Sequence, residues 1–154
     1  MTTGMVELVS ADEIQQRTAP VELATGFSPE NLGNPRPDLA GARLMPLVGN
    51  AIYLVNPEGY LQWIPNPATY NNLFRDWNGV QRTDIAGIAV GSPLSDGALL
   101  AKGNLSGAVY IVSNGIKRWI TSPDAFNKYY FNWNSIYVVP QILVDEIPAG
   151  NNWS

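Results

Sequence analysis

Two short β-prone runs anchor the reading of this chain. Ala108-Val-Tyr-Ile-Val112 and Ile116-Lys-Arg-Trp-Ile120 flank Ser113-Asn114-Gly115, and a tight Asn-Gly connection between such runs predicts a β-hairpin. Side chains alternate across a strand, so Ile116, Arg118 and Ile120 share one face and Lys117 and Trp119 the other. The isoleucines mark the inward face, which leaves Lys117 and Trp119 toward solvent unless a further layer covers them. Upstream, Ala98-Leu-Leu-Ala-Lys102 and Asn104-Leu-Ser-Gly107 predict another strand and a turn. Ser122 before Pro123 gives an N-cap and a first helical residue, for a short helix to about Tyr130. Within it Phe126 and Tyr130 share the core side, leaving Tyr129 free for a site or an interface. Ser135-Ile-Tyr-Val-Val139, stopped by Pro140, predicts a final strand.

The same succession occurs once before. Gly41-Ala-Arg-Leu44 stands beside Gly97-Ala-Leu-Leu100, and Asn50-Ala-Ile-Tyr-Leu-Val55 beside Gly107-Ala-Val-Tyr-Ile-Val112. Gly59-Tyr-Leu-Gln-Trp-Ile64 matches Gly115-Ile-Lys-Arg-Trp-Ile120, and Asn66-Pro-Ala-Thr-Tyr70 matches Ser122-Pro-Asp-Ala-Phe126. Asp76-Trp-Asn-Gly-Val80 matches Asn132-Trp-Asn-Ser-Ile136, and the offset stays at 56 or 57 residues. This is an internal duplication. In the first copy Asn56-Pro-Glu-Gly59 makes the hairpin turn, Asn66 is the N-cap, and the helix runs from Pro67 to about Phe74. Tyr60, Gln62 and Ile64 oppose Leu61 and Trp63 as their counterparts do. The expected fold is mainly β with short helices: two tandem antiparallel β-rich repeat units (β-β-β-α-β) related by pseudo-twofold symmetry.

Residues 1–37 break this pattern. Ser10-Ala-Asp-Glu13 is a capping box for one short helix over Glu13 to Arg17, after which Pro20, Gly26, Pro29, Gly33, Pro35 and Pro37 interrupt every period. Residues 1–37 therefore read as an extended N-terminal arm, with Val21, Leu23, Phe27 and Leu32 as anchors if it docks on the body or on a neighbouring subunit. Residues 38–154 read as a single domain of two repeats, 38–94 and 95–154.

The second copy, through Tyr110, Val112, Gly115, Lys117, Arg118, Trp119, Ile120, Pro123, Phe126, Trp133 and Ile147-Pro-Ala-Gly150, resembles the tandem repeats of about fifty residues found in bacterial secreted and surface proteins. The resemblance covers about residues 41–150 in two copies. It implies an accessory binding or structural unit, mostly without assigned activity, and a secreted or cell-surface location. The first copy departs from it: Gln62 replaces the basic residue, and the closing motif is degenerate at Val90-Gly-Ser-Pro93. A fainter similarity links the unit to hemopexin-type propeller blades, but two units cannot close a four-bladed propeller without dimerising.

Composition narrows the chemistry. The chain has no His and no Cys, which removes Ser-His-Asp triads, imidazole proton shuttles, thiolate nucleophiles and Cys or His metal sites. Charged residues make up only 14% of 154 residues, and the net charge is −4. With Lys117-Arg118 as the one adjacent basic pair, no nucleic-acid partner is expected. No membrane span is expected either, because no apolar run approaches the roughly 20 residues required. The N-terminus carries neither a basic nor a long apolar segment, so no signal peptide is read in this chain.

No cofactor and no metal site are predicted. Asp124 sits in a first helical turn, where a carboxylate complements the helix dipole, and nothing orients it toward Asp76 as glycosidase chemistry would need. The chemistry that remains is contact. An indole can stack on the apolar face of a sugar while Asn amides bond its hydroxyls. The candidate ligand-binding residues are Trp63, Trp119, Lys117, Arg118, Trp77, Asn78, Trp133, Asn134 and Tyr129. Trp77 and Trp133 have an alternative as core residues packing helix on sheet, and Trp63 and Trp119 have one in a subunit interface. The expected function is a non-enzymatic module binding carbohydrate or another cell-surface ligand. The alternative is a structural subunit, with a homo-oligomer assembled through the same aromatics and the arm. A carboxylate hydrolase stands third.

Overall fold

A proline at the first helical position lacks only an N–H that would have no helical partner, and a polar residue before it can cap the next free donors. Both helices of the repeat are built this way. A computed structural model describes residues 33–154; the capping box at Ser10–Glu13 and the arm anchors Val21, Leu23, Phe27 and Leu32 lie outside the described residues. Asn66 Oδ1 accepts from Thr69 N at 2.8 Å ahead of α1 (Pro67–Leu73), and Ser122 Oγ accepts from Ala125 N at 3.0 Å ahead of α2 (Pro123–Lys128). Each repeat carries one such helix and one four-stranded sheet.

The first sheet holds β1 (Arg43–Met45), β2 (Ile52–Val55), β3 (Leu61–Ile64) and β4 (Gln81–Arg82), in the order β3-β2-β1-β4. The second holds β5 (Leu99–Gly103), β6 (Val109–Ser113), β7 (Ile116–Trp119) and β8 (Ile136–Val139), in the order β7-β6-β5-β8. Three strands of each sheet are antiparallel, and the strand after the helix returns parallel to the first. The β-β-β-α-β pattern is therefore present in both pseudo-symmetric copies, in mixed sheets. One further α-helix, α3 (Gln141–Asp145), follows β8, where the sequence pattern predicts no element.

Cross-strand register corrects the alignment of the copies. Arg43 lies opposite Leu54, and Leu100 opposite Ile111, so the buried Arg43 takes the place of Leu100, one residue out from the sequence match. A closing segment also adds to the edge of each hairpin. Leu61 N donates to Ala89 O (2.9 Å) and Gly91 N to Leu61 O (2.8 Å); Lys117 N donates to Pro148 O and Gly150 N to Lys117 O, both at 2.8 Å. The partner of Ile147-Pro-Ala-Gly150 is thus Ile88-Ala-Val-Gly91, not the stretch ending at Pro93. Both segments keep their Ile and Gly.

By contact the chain forms two compact units. One takes the described residues up to Pro65 together with Asn78–Pro93; the other takes Asn66–Trp77 and Leu94–Ser154. The first unit buries Leu44, Tyr53, Val55, Leu61 and Ile88 together. At its start the Arg36 guanidinium forks onto Asp38 at 2.9 and 2.8 Å, and these hydrogen bonds hold the exposed Asp38 carboxyl below its usual range. The second unit buries Leu100, Ile111, Tyr70, Leu73, Phe74, Phe126, Tyr129, Phe131, Val144 and Trp153. Helix α1 is held there through polar contacts: Gly97 N donates to Thr69 Oγ1 (3.0 Å), Asn66 Nδ2 to Asp96 Oδ1 (2.9 Å) and Asn72 Nδ2 to Ala98 O (3.2 Å).

The hairpin glycines Gly59 and Gly115 both have left-handed φ, 92° and 72°, but their surroundings differ. A Cβ at Gly59 would meet the backbone of Arg36 and Pro37, whereas at Gly115 it would meet nothing. Gly115→Ala should cost only the left-handed strain, about 1–2 kcal/mol. Gly59→Ala should cost clearly more, upward of about 3 kcal/mol, because backbone must move as well. Urea unfolding of both variants checks this, and equal losses would contradict the close packing at Gly59.

Candidate functional site

An indole fixed on one side and open on the other is a ready contact surface, and the repeat builds two of them. Trp77 and Trp133 follow helices α1 and α2, and each folds back onto a ring of its own helix. Trp77 stacks on Tyr70 at a centroid distance of 3.9 Å, and Trp133 lies 3.9 Å from Phe126. Each indole N–H is held by an amide at the matching helix position: Trp77 Nε1 donates to Asn71 Oδ1 at 3.0 Å, and Trp133 Nε1 to Asn127 Oδ1 at 2.9 Å. Both side chains nevertheless remain 46% exposed. The core alternative fails for them because only the inner ring face is used.

The rings between them form an unbroken series. Tyr70 is 4.7 Å from Phe74, Phe74 is 5.7 Å from Phe131, and Phe131 is 5.6 Å from Phe126. The series is palindromic about Phe74 and Phe131, which pair as an antiparallel bridge with Arg75 N on Tyr130 O (3.2 Å) and Asn132 N on Leu73 O (2.9 Å). Arg75 reinforces the joint: its Nε donates to Phe131 O at 2.8 Å, and another guanidinium N–H donates to Asn127 Oδ1.

The remaining candidates divide sharply. Trp119, 42% exposed and opposite Tyr110, faces outward as its strand position predicts. Trp63 does not. It packs half-buried against a cluster that includes Tyr53 and the apolar Leu61, where the second copy has Lys117, and its indole N–H is buried without a partner among the described residues. Lys117 is a clamp: its ammonium donates to Val144 O at 2.9 Å and lies 4.9 Å from the Tyr110 ring centroid. Arg118 reaches Asn151 O at 3.4 Å, and Gln62 reaches Ser92 O at 2.9 Å. The two thus perform one task, tying down the closing segment of each copy. Asn78 is exposed and belongs to the first unit, while Trp77 belongs to the second.

Tyr129 must be withdrawn from the site. It is 0% exposed, its hydroxyl donates to Ser154 O at 2.7 Å, and its ring packs beside Phe131 and Trp153. The expected pairing of Phe126 and Tyr130 in the core fails because Tyr130 has a left-handed φ of 62°. That turn swings Tyr130 outward, where its hydroxyl donates to Asp76 Oδ1 at 2.7 Å.

Sequence reasoning missed the amides of α1. Asn71, Asn72, Asn134, Ser135, Ile136 and Tyr137 line an open cavity of about 290 Å³ in the second unit, so Asn134 is joined by two side chains not singled out for a site. Their only signal was that Asn71 and Asn127 both precede a Trp by six positions. Among the described residues no group of three or more carboxylates gathers as a metal site, and no helix is long and apolar enough to cross a membrane. The chain matches no family model, no curated protein and no solved structure.

Trp153, in contrast to Trp77, Trp119 and Trp133, is 3% exposed. Acrylamide quenching of the single Trp→Phe variants should therefore separate two classes. Removing Trp77, Trp119 or Trp133 should delete a quenchable component, and removing Trp153 a protected one. Equal quenching constants across the variants would contradict this division.

Proposed function

We propose that this protein is a non-enzymatic binding module that holds carbohydrate of a cell surface or matrix against Trp77 and Trp133. The observation that carries the reading is the pair of braced, half-exposed indoles, each with its N–H already bonded to an amide of its own helix. A ring fixed in advance loses little conformational freedom on binding, and its free face is apolar, as stacking on a pyranose requires. Trp119 is a further contact surface. The low charge of the chain favours neutral ligands.

Glycan-array binding of the wild type and of Trp77→Ala, Trp133→Ala and the double variant tests this. Each single variant should weaken binding at least about fivefold, equivalent to about 1 kcal/mol, with an unchanged circular-dichroism spectrum. Undiminished binding by a folded double variant would overturn the assignment.

A second reading is assembly of the chain with copies of itself, and strand β8 favours it. Among the described residues it pairs only with β5 and exposes Tyr137 and Val138, with Leu105, Ile142 and Leu143 also exposed. An apolar edge strand of this kind is a template for pairing. Its counterpart β4 is only two residues long, and there Arg82 turns its guanidinium onto Pro46 O and Gly49 O. Under this reading the wild type forms an oligomer on size exclusion with light scattering, and Val138→Lys converts it to monomer without lowering its melting temperature. A wild type that stays monomeric at every concentration would exclude assembly through this edge.

A further inference from the structure

We propose that the amide-lined cavity of the second unit is a subsite for one neutral sugar residue, read by matched donors and acceptors rather than by charge. This rests on the carbohydrate reading above and gives it a location and a ligand class. The hydrogen bonds fix the orientation of the amides. An indole N–H can only donate, so the atom of Asn71 that meets Trp77 is its oxygen. The Asn71 amino group is left with two donors. A backbone carbonyl can only accept, so Asn72 turns its Nδ2 to Ala98 O and keeps its Oδ1 as an acceptor. The side chains of Asn134, Ser135 and Tyr137 also line the cavity and have no hydrogen-bond partner among the described residues.

Donor and acceptor therefore stand on adjacent residues of α1, with hydroxyl and amide groups across from them in the sequence of the turn before β8. A vicinal diol, in which every hydroxyl both donates and accepts, complements such a set. An anion would use only the donors and a cation only the acceptors. Neither would find a countercharge, because no lining residue carries one at neutral pH and an unpaired charge is costly to desolvate. The exposed Tyr137 ring and Ile136 supply the apolar surface for a pyranose face. A volume of about 290 Å³ lies at the small end of small-molecule sites, about 300–1,000 Å³, which suits one sugar ring of a longer chain.

The test is a titration of the full ¹⁵N-labelled chain with methyl β-D-glucopyranoside, methyl β-D-galactopyranoside and N-acetylglucosamine. Each is taken to about 50 mM, to reach millimolar affinities, with sodium phosphate as the charged control. At least one glycoside should shift the side-chain amide signals of Asn71, Asn72 and Asn134, and phosphate should leave them unmoved. Asn134→Ala, which removes no internal side-chain bond, should weaken that glycoside at least about fivefold while the melting temperature stays put. Phosphate-induced shifts at these amides would overturn the neutral-ligand assignment. Sugar quenching of tryptophan emission without movement of these amides would sink the subsite and leave the carbohydrate reading standing. No response to any of the glycosides, here or on the array, would remove both.

Discussion

A helix of seven residues and one of six cannot hold themselves together, since nucleation alone outweighs the few hydrogen bonds they close. Their order comes from the point where their exits meet. Phe74 and Phe131 pair there as an antiparallel bridge, with reciprocal bonds between Arg75 and Tyr130 and between Asn132 and Leu73. The second of these bonds takes up the Leu73 carbonyl, one of those that a helix end leaves without a helical partner. Packing of Tyr70 and Phe126 onto the same rings then fixes both helices, and Trp77 and Trp133 lie on the outer ends of that stack. The exposed surface of the second unit is thus set by its most buried joint.

The two copies solve the same mechanical problems with different residues. Gln62 and Arg118 both donate to the carbonyl that follows the closing glycine, so a neutral amide does the work of a guanidinium. Those glycines are needed alike: a Cβ at Gly91 would press on Tyr60, and one at Gly150 on Ile116 and Arg118. Elsewhere the copies diverge. A buried Arg43 whose guanidinium donates to Asn78 O at 2.8 Å replaces the fully buried Leu100, and Arg82 stands where Val138 is exposed. The first sheet ends in a charged, two-residue strand and the second in a longer apolar one.

Much of this architecture can be read from the sequence. Capping residues, prolines and turn glycines place both helices and both hairpins within a residue or two, because each signal acts locally. The repeat also predicts the same succession of elements in both copies, but the expected antiparallel units prove to be mixed sheets, because the strand after each helix returns parallel to the first. What could not be read depends on neighbours distant in the chain. The burial of Trp63 follows from the cluster around Tyr53, and that of Tyr129 from Trp153 and Ser154, which meet its ring and its hydroxyl. Alternation placed Trp119 outward because its strand obeys the local rule. The cavity was illegible because Asn71 and Asn72 lie on α1 while Asn134 and Ser135 come from the other copy.

The bridge at Phe74 has a consequence for how the chain reaches its folded state. Arg75 and Phe131, which it ties together, are 56 residues apart, so the joint closes a long loop and carries the entropy cost of that closure. Within the first copy Tyr70 has Trp77 as a stacking partner, whereas the rings that Phe74 meets beyond α1 come from the second copy. Copying the sequence produced two matching segments, yet the compact units cut across them, with one segment lending its helix to the other's core. In this protein the bounds of the repeat are not the bounds of the compact unit.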